Sequence, residues 1–519
     1  MDTKALRQKI LDLAIRGKLV PQDPNDEPAS VLLERIRAEK QQMAKDGKLK
    51  PKDIKNDTVI FKGDDNLHYE KFSDGTVKCI EDEIPFDVPN NWEWVRIKTA
   101  CVINPRNSID DNTEVSFVPM ANIKEGYANK FISDIRVWKK VKKGYTHFAN
   151  NDIGIAKITP CFENKKSVVF SSLINGYGAG TTELYILRTI SSLVIPEYLL
   201  NFVKRDNFIA GGVLTFSGDV GQQRVTKDYV ANYLFTLPPL NEQQRILNAV
   251  HTATSLIESI EKANDNLIRD IDKTKAKILD LAIRGKLVPQ DPNDEPASVL
   301  LERIRAEKEE LIKQGKIKRD KKESVIFKGD DNSYYEKIGN DITCIDDEIP
   351  FDIPDTWSWT RISTIADITM GSSPKSQDIC NDNQYIEFHQ GKIYFSKKTL
   401  IKSNQYTRKT TKLAPKQSVL LCVRAPVGEL NITDRDICIG RGLASIKSLG
   451  NINEEFIFYW LHPYKTYLIN QSTGSTFSAI RSDTVRNILI PLPPLMEQKE
   501  ILNKIQKVFT LLEDLETVN

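Results

Sequence analysis

Between residues 246 and 281, apolar side chains alternate at steps of four and three, with polar residues between them. Continued over about five heptads, this spacing is typical of a coiled-coil helix, and an ordinary long amphipathic helix is the alternative. At about 1.5 Å per residue the stripe is about 50 Å long. The polar members Asn264 and Thr274 either fix the register of the coil or are neutral. The apolar members are Ile246, Val250, Ala253, Ile257, Ile260, Leu267, Ile271, Ile278 and Leu281.

The two ends of the chain carry the same stripe in two pieces. Placed tail before head, the pieces reproduce the central pattern almost completely. We therefore expect the central helix to pair in antiparallel fashion with a second helix that is split between the chain ends. That arrangement predicts circular pseudo-twofold symmetry with neighbouring termini. The pieces consist of Ile501, Ile505, Val508, Leu512 and Leu515, and of Thr3, Leu6, Ile10 and Leu13.

A long internal repeat organises the rest of the chain. Its period indicates two whole modules rather than a solenoid unit of a few tens of residues. Between the matching segments the two copies are unrelated, so a duplicated scaffold carries two different domains. The matches are 9–40 with 277–308, letter for letter, then with small changes 59–66 with 325–332 and 82–89 with 347–354, and finally Leu-Pro-Pro-Leu at 237–240 and 492–495.

The unlike segments, 85–238 and 350–493, are called variable domains 1 and 2. Both contain short β-rich runs punctuated by Gly, Asn and Pro, with a few helical stretches. We therefore predict an α+β fold in which two α+β domains are separated by an antiparallel coiled coil of long helices. The remaining predicted regions are an N-terminal helical region (1–46), a connector (47–84), the central helix region (239–314), a second connector (315–349) and a C-terminal helix (494–519). The connectors are charged and turn-rich, and we assign no elements to them.

Composition bounds the class of protein. The 73 basic and 71 acidic residues nearly cancel, so a surface that binds a polyanion must come from local segregation of charge. The seven cysteines are odd in number and never form a C-x-x-C pair, which argues against a disulfide framework and a zinc site. The N-terminus lacks an apolar segment and no apolar run approaches 18 residues, which predicts a cytoplasmic protein.

Motifs for catalysis are missing from the sequence. The segment Asn104-Pro105-Arg106-Asn107 lacks the second proline and the aromatic residue of an amino-methyltransferase tetrapeptide. The glycine-rich segment 176–180 has no nucleotide-loop spacing, and we interpret it as a hairpin turn. The five histidines show no metal-ligand spacing. The chain is therefore expected to have no catalytic activity and to bind no metal.

Each variable domain contains a cluster of basic residues among aromatic ones. Such clusters suit contacts to DNA phosphates and base edges, although a solvated charged face explains either cluster alone equally well. Two clusters, one in each diverged domain, favour DNA. The candidates in variable domain 1 are Arg136, Lys139, Lys140, Lys142, Lys143, Tyr145, Lys157, Lys165 and Lys166. Those in variable domain 2 are Lys392, Lys397, Lys398, Lys402, Arg408, Lys409, Lys412 and Arg424.

The residues at the domain borders resemble the specificity subunit of type I restriction-modification systems. The signature Leu-Pro-Pro-Leu-x-Glu-Gln, at 237–243 and 492–498, directly precedes the helical stripe, as at that family's junction between recognition domain and spacer helix. Ile-Pro-Phe at 84–86 and 349–351, followed by Trp-x-Trp, is similar to its domain entry. Residues 152–160 with 180–187, and 419–428 with 440–443, are similar to its internal strands.

This resemblance implies a non-catalytic subunit that gives DNA sequence specificity to a larger enzyme. Each variable domain would be a target-recognition domain that reads one half of a bipartite, asymmetric site in double-stranded DNA, and the coiled coil would set the spacing. Two methylation subunits carrying S-adenosylmethionine would methylate adenine, and two restriction subunits would use ATP and Mg²⁺, while this chain would bind no cofactor itself.

Three alternatives stay open. A self-contained DNA enzyme would need the missing catalytic motifs, and a purely structural coiled-coil adaptor has no use for two basic, diverged domains. A DNA-binding adaptor or orphan reader outside a restriction system is the closest alternative. The sequence gives neither the target nor which of Gln222, Gln223, Arg224, Arg408 and Arg424 faces a groove.

Overall fold

The computed structural model describes residues 2–49, 54, 57–219, 221–319, 323–472 and 479–517. It divides into two compact units, Met1–Ala263 and Asn264–Asn519. Each unit contains one copy of the repeated scaffold and one variable domain, and each combines helices with antiparallel and mixed sheets. The predicted α+β class is therefore confirmed.

Unit 1 begins with two helices that pack on the variable domain rather than forming a separate region. Leu11, Ala14 and Ile15 of the first helix and Leu32 and Ile36 of the second lie in one buried cluster with the core of variable domain 1. The helices of the unit are α1 (Thr3–Ile15), α2 (Ala29–Lys45), α3 (Ile97–Ala100), α4 (Trp138–Val141), α5 (Pro196–Val203), α6 (Asp206–Val213), α7 (Lys227–Asn232) and the first part of α8 (Leu240–Ile283).

Variable domain 1 contains two four-stranded sheets. The inner sheet has the order β10-β9-β12-β5 and the outer sheet the order β7-β6-β11-β8. Ile153 and Ile155 of the inner sheet face the helices, whereas Ala156 and Ile186 face the outer sheet, so both faces are buried. The strands are β4 (Glu93–Arg96), β5 (Cys101–Ile103), β6 (Glu114–Val118), β7 (Asp134–Val137), β8 (Thr146–Ala149), β9 (Ile153–Ala156), β10 (Ser167–Val169), β11 (Tyr177–Gly180), β12 (Leu184–Thr189) and β13 (Leu234–Leu237).

Unit 2 repeats this plan. Its helices are the second part of α8, α9 (Ala297–Lys313), α10 (Ile362–Ile365), α11 (Glu454–Leu461), α12 (Lys465–Asn470), α13 (Ser482–Arg486) and α14 (Leu495–Thr517). Its variable-domain strands are β17 (Ser358–Arg361), β18 (Ala366–Met370), β19 (Ile379–Cys380), β20 (Ile386–His389), β21 (Tyr406–Thr407), β22 (Leu413–Ala414), β23 (Ser418–Cys422), β24 (Leu430–Thr433), β25 (Ile437–Ile439), β26 (Leu443–Ser448) and β27 (Leu489–Leu492).

The two variable domains share one topology although their sequences diverge. The inner sheet of variable domain 2 has the order β24-β23-β26-β18, which matches β10-β9-β12-β5 strand for strand. Its outer sheet, β19-β21-β20-β25-β22, adds one edge strand to the pattern of β7-β6-β11-β8. Each outer sheet contains one parallel pair, β6 with β11 and β20 with β25. The scaffold thus carries two versions of the same fold.

The connectors, to which the sequence analysis assigned no elements, each form a three-stranded antiparallel sheet. A buried ion pair at 2.7 Å, from Arg96 to Glu70 in unit 1 and from Arg361 to Glu336 in unit 2, ties each sheet to its variable domain. The strands are β1 (Thr58–Lys62), β2 (His68–Phe72) and β3 (Val77–Cys79), and β14 (Ser324–Lys328), β15 (Tyr334–Ile338) and β16 (Asp341–Cys344).

The predicted central helix forms as α8, which is 44 residues long. In unit 1 it packs antiparallel to α1, because Ile246 and Val250 share a core with Leu11 and Ile15 near the start of α8, while Glu261 meets Arg7 farther along. In unit 2 it packs antiparallel to α14 in the same way. There Leu279 and Ile283 share a core with Ile501 and Ile505, and Lys275 meets Glu516.

Most residues of the predicted apolar stripe, which we call the seam, are buried or partly buried. In the middle of α8 the inward-facing positions are shifted by one residue from the predicted ones. Ile257 and Ile271 are buried, and Leu267, Ile278 and Leu281 are partly buried. Ile260 is 47% exposed, because the inward position after Ile257 belongs to Glu261. Leu512 is partly buried, whereas Leu515 is 51% exposed, because Glu516 takes the inward position. The assignment of Ile260 and Leu515 to the seam was therefore wrong, and the inward positions carry an ion pair instead.

Candidate nucleic-acid interface

The first basic cluster is built on the outer sheet of variable domain 1. Trp138 and Val141 of α4 are buried under the sheet, which leaves Lys139, Lys140 and Lys143 exposed to solvent. Lys142 instead bonds to Asp111 at 2.6 Å. A short helix with its apolar residues inward thus presents three free lysines on one surface.

Two aromatic rings support the same surface. The guanidinium of Arg136 lies 4.2 Å from the centre of the Phe117 ring, and Tyr145 packs edge-on against that ring at 5.1 Å. Arg106, which the sequence analysis did not single out, joins the cluster from a distant loop, with its guanidinium 3.4 Å from the carbonyl of Tyr145 and from the ring of His147. Burial, and to a lesser extent the charge of Arg106, lowers the pKa of His147.

The remaining candidates of variable domain 1 are not equivalent. Lys157 and Lys166 are partly exposed. Lys165 points inward, where its ammonium bonds to Asp206 and to the hydroxyl of Tyr127 at 3.0 Å, and we therefore leave it out of the interface. The neighbouring Lys204 is also buried and donates to the carbonyls of Gly126 at 2.7 Å and Ala128 at 3.0 Å.

The second basic cluster divides into two parts. Lys402, Arg408, Lys409 and Lys412 are exposed on the outer sheet and its loops. Lys392 is exposed too, but it lies 3.5 Å from Glu429. These residues form a basic surface comparable with that of variable domain 1.

The other part of the second cluster is paired with carboxylates from the helices of unit 2. Lys397 lies 3.3 Å from Glu516 and 3.9 Å from Glu513 on α14, and Lys398 lies 2.6 Å from Glu455 on α11. These acids are far away in sequence, so the run of basic residues gave no sign of them. The pairs connect variable domain 2 to α11 and α14, and because the acids offset the charge of both lysines, we rank these two below the unpaired lysines as phosphate contacts.

Arg424 lies outside the basic run, in the loop between β23 and β24, and is exposed. The equivalent loop of variable domain 1 joins β9 to β10. Both loops contain a cis proline, after Thr159 and after Ala425. Because β23 and β24 correspond to β9 and β10, Arg424 lies in a loop that both variable domains contain, although its arginine is found only in variable domain 2.

The Leu-Pro-Pro-Leu-x-Glu-Gln segments form junctions between scaffold, variable domain and helix. In junction 1, the carboxylate of Glu242 accepts hydrogen bonds from the indole of Trp92 at 2.9 Å and the amide of Gln22 at 2.6 Å. Both Glu242 and Gln243 are fully buried. Gln243 accepts from the backbone of Ile195 and donates to the carbonyl of Leu193, which closes the variable domain against the start of α8.

Junction 2 repeats the contacts of the glutamate, while the side chain of its glutamine keeps, among the described residues, only the bond to the proline carbonyl. Glu497 accepts from Trp357 at 2.8 Å and from Gln290 at 2.6 Å, and Gln498 donates to the carbonyl of Pro493 at 2.9 Å. Burial raises the pKa of Glu242 and of Glu497 more than these hydrogen bonds lower it. The motif therefore has a structural role, because it joins three distant parts of the chain at one point.

The duplicated junctions and the shared sheet topology agree with the comparisons. A family model described as the type I restriction modification DNA specificity domain matches residues 89–269 and 354–518, which together exceed half of the chain. The chain belongs to this family.

Two specificity subunits of type I restriction enzymes from Escherichia coli are similar to this chain along nearly its whole length. The subunit of EcoAI is 33% identical, with 97% of this chain and 88% of that protein covered. The subunit of EcoEI is also 33% identical, with 99% and 90% covered. A solved structure described as a type I restriction-modification system has a TM-score of 0.58 at 22% identity and covers 84% of this chain and 94% of its own, which shows a shared fold.

In this member of the type I specificity family, the two segments that lack catalytic motifs, 104–107 and 176–180, have structural roles. Asn104 exchanges hydrogen bonds with Ile186 through its backbone and its side chain. Residues 177–180 form β11 inside the outer sheet, so the hairpin prediction was wrong. A Cβ at Gly178 would lie 2.1 Å from the Phe148 ring, which explains the glycine.

The structure also bears on metals and membranes. Across the described ranges, no group of three or more His, Cys, Asp or Glu side chains is placed to hold a metal ion. In the same residues, every helix is too short or too polar to span a lipid bilayer.

Proposed function

We propose that this chain is the DNA specificity subunit of a type I restriction-modification enzyme, in which each variable domain reads one half of a bipartite, asymmetric DNA site. One observation carries the proposal. The two variable domains have the same strand order on a duplicated scaffold, yet their exposed side chains differ. Two copies of one fold with different surfaces suit two unlike half-sites, since bases are read by side chains.

The long helix α8 suits a spacer. Its 44 residues correspond to about 66 Å at about 1.5 Å per residue, and it continues from one unit into the other. A continuous helix cannot change length without unfolding, so we propose that it fixes the gap between the half-sites. The gap itself is a property of the DNA target and follows from the experiment below.

The catalytic partners would bind to surfaces that the chain presents twice. Leu256 and Ile260 on α8 are 60% and 47% exposed, and Leu511 and Leu515 on α14, at the equivalent positions, are 64% and 51% exposed. Because an equivalent exposed apolar pair is present in both units, we propose that two identical methylation subunits dock there. These subunits would carry S-adenosylmethionine and methylate adenine.

Two restriction subunits, supplied with ATP and Mg²⁺, would complete the enzyme. The names of the relatives support this assignment, since they are subunits of type I restriction enzymes. In this proposal the chain binds no cofactor and performs no chemistry itself. Its role is to position the catalytic partners on the DNA target.

The test is a base-resolution map of methylated adenine in cells that contain the methylation subunit, with and without this chain. We expect a split motif with two unlike halves that is found only when the chain is present. A variant chain with residues 85–238 replaced by the corresponding domain of a relative is the matched control, because it should alter one half alone. A map without any chain-dependent motif would contradict the proposal and favour an orphan reader or adaptor.

A further inference from the structure

Variable domain 1 has a distinct hydrogen-bonded frame where β9 leaves the inner sheet. The backbone amide of Lys157 donates to the carbonyl of Glu183 at 3.0 Å, and the amide of Val225 donates to the carbonyl of Lys157 at 2.9 Å. The crossover between β11 and β12 is fixed beside it, because the amide of Thr181 donates to the carbonyl of Val118 at 3.3 Å. Three separate loops therefore meet at one end of the domain.

Variable domain 2 has the same frame where β23 leaves its inner sheet. The amide of Val423 donates to the carbonyl of Gly442 at 2.9 Å, and the amide of Ile480 donates to the carbonyl of Val423 at 3.0 Å. Its crossover is fixed by the amide of Gly440, which donates to the carbonyl of His389 at 2.8 Å. The match is bond for bond, although the sequences are unrelated.

A further pair of contacts extends the match. Ile158 pairs with Arg224 as an isolated antiparallel bridge, and Arg424 pairs with Ala479 in the same way. The frame thus makes five pairs of positions equivalent between the domains. These are Pro119 with Gln390, Lys157 with Val423, Ile158 with Arg424, Thr182 with Arg441, and Arg224 with Ala479.

The side chains at these positions differ in chemistry. Variable domain 2 exposes Gln390, Arg424 and Arg441. Variable domain 1 has Thr182 in place of Arg441. The one arginine among its five positions, Arg224, bonds to both carboxylate oxygens of Glu183 at 2.8 and 3.0 Å. The backbone of the frame is therefore the same in both variable domains, while the polar side chains at its five positions differ.

In variable domain 2 the frame also brings the side chain of Gln390 close to the backbone of Arg441. The hydroxyl of Ser373 donates to the side-chain oxygen of Gln390 at 2.8 Å and accepts from the backbone amide of Arg441 at 3.3 Å. A Cβ at Gly440 would lie 2.3 Å from the side-chain oxygen of Gln390, and one at Gly442 would lie 2.3 Å from its carbonyl oxygen. The backbone of Gln390 therefore requires a glycine at position 442, whereas a Cβ at position 440 would displace the end of the Gln390 side chain.

Neither Arg424 nor Arg441 has an ion-pair partner among the residues that the structure describes. By contrast, Arg435 in the same domain is held by Glu387 at 2.6 Å. Exposed, unpaired guanidinium groups bind guanine through two hydrogen bonds, and a glutamine amide does the same with adenine. The cluster of Gln390, Arg424 and Arg441 has the chemistry of base readout.

We infer that these five equivalent positions are where each variable domain contacts base edges, and that Gln390, Arg424 and Arg441 select the second half-site. This inference rests on the proposed function. Arginine pairs with guanine, so the second half-site contains guanine at the base pairs that Arg424 and Arg441 read. Variable domain 1 reads its half-site from the same frame with Lys157 and Thr182.

The test is a double variant, Arg424→Ile with Arg441→Thr, which places the residues of variable domain 1 in the frame of variable domain 2. Mapped by adenine methylation, it should keep the first half-site and become degenerate at one or two base pairs of the second. In competition between duplexes with the original and the altered second half-site, discrimination should fall about 5- to 150-fold. Arg319→Thr, which removes an exposed arginine of unit 2 outside the variable domain, is the matched control.

A second variant separates readout from charge. Arg441→Lys keeps the positive charge but loses the planar fork, so it should relax only the base pair that Arg441 reads while leaving the salt dependence of binding unchanged. An unaltered second half-site in the double variant, or equal weakening on all duplexes, would overturn the inference. If the unmodified chain yields no chain-dependent motif at all, the proposed function fails instead.

Discussion

The guanidinium of Arg7 lies 3.0 Å from the carboxylate of Glu261, and Lys275 and Glu516 repeat this contact at 3.1 Å in the other unit. In both, a basic residue two positions before the identical repeat segment meets an acid on the antiparallel helix. Each acid lies one residue after the apolar residue that the heptad pattern placed inward, Ile260 or Leu515. The polar pair sets the register of α1 on α8 and of α8 on α14.

Reversing the charge of Arg7 should therefore weaken the packing of α1. We expect Arg7→Glu to lower the free energy of unfolding by about 1 kcal/mol or less, because Glu261 is partly exposed and solvent screens the pair. Adding Glu261→Arg should restore most of the loss. Thermal unfolding of the single and double variants measures this, and a double variant no more stable than the single one would contradict it.

Junction 2 should make stability depend on pH. Burial raises the pKa of Glu497. The folded chain then holds a proton that the unfolded chain releases, so this contribution is present below the ordinary pKa of glutamate and is lost as the pH rises through the raised value. Glu497→Gln is always neutral and should gain stability relative to the original chain as the pH rises above the ordinary pKa of glutamate, measured by urea unfolding across that range. A constant difference across that range would rule out the proton as the cause.

The junctions differ in one neighbour. In unit 1 the guanidinium of Arg245 lies 2.6 Å from Asp26, and its charge acts to lower the pKa of Glu242. In unit 2, Glu500 stands at the equivalent position and, together with Asp294, acts to raise the pKa of Glu497. We expect Glu500→Arg to stabilise unit 2 by about 1 kcal/mol or less and to reduce the pH dependence just described. Glu500→Gln, which removes the repulsion without adding a cation, should give a smaller gain.

The buried Lys204 should make the free energy of unfolding depend on pH above pH 7. Burial, with the nearby charge of Lys165, lowers the pKa of Lys204 to about 7. Between about pH 7 and its ordinary pKa the unfolded chain carries a proton that the folded chain lacks, so the free energy of unfolding rises with pH in that window. Lys204→Met should flatten this rise between pH 7 and 9. It should also cost about 1 to 3 kcal/mol, because the carbonyls of Gly126, Ala128 and Lys165 lose their donor.

The free lysines of variable domain 1 and the paired lysines of variable domain 2 should differ in how much they contribute to the salt dependence of DNA binding. Replacing Lys139, Lys140 and Lys143 with alanine should reduce the slope of log K against log salt by about 2 to 3, since each phosphate contact contributes about 0.9. Lys397→Ala with Lys398→Ala should leave the slope unchanged, because both lysines are paired with acids of unit 2. Fluorescence anisotropy on one duplex at several salt concentrations compares the two, and a reduced slope in the second variant would return these lysines to the interface.

The sequence predicted the features that depend on regular spacing. The stripe from Ile246 to Leu281 predicted α8, and the repeat predicted two similar units. It could not predict the one-residue shift at Ile260, because an Arg7–Glu261 pair depends on which helices meet. The strands of the connectors were missed because each is short and is held by a distant ion pair, such as that of Arg96 with Glu70.

The candidate interface was predictable in part for the same reason. Local runs revealed Lys139, Lys140 and Lys143, whose neighbours in sequence are also their neighbours in space. Arg441 and Gln390 come together only through the frame that joins three loops, and no spacing along the chain indicates it. Local spacing also gave no sign of the partners of Lys165, which is buried against Asp206, and of Lys397, which is exposed but paired with Glu516, because both acids are far away in sequence.

The identical segments 9–40 and 277–308 each carry the glutamine of a junction, Gln22 in one and Gln290 in the other. A genetic crossover anywhere within these segments joins two chains without changing a single residue at the seam. Each variable domain would travel with its own tryptophan and glutamate, so the buried hydrogen bonds re-form in every recombinant. The architecture therefore lets new pairs of half-sites arise by shuffling whole domains, with no need for compensating mutations at the joints.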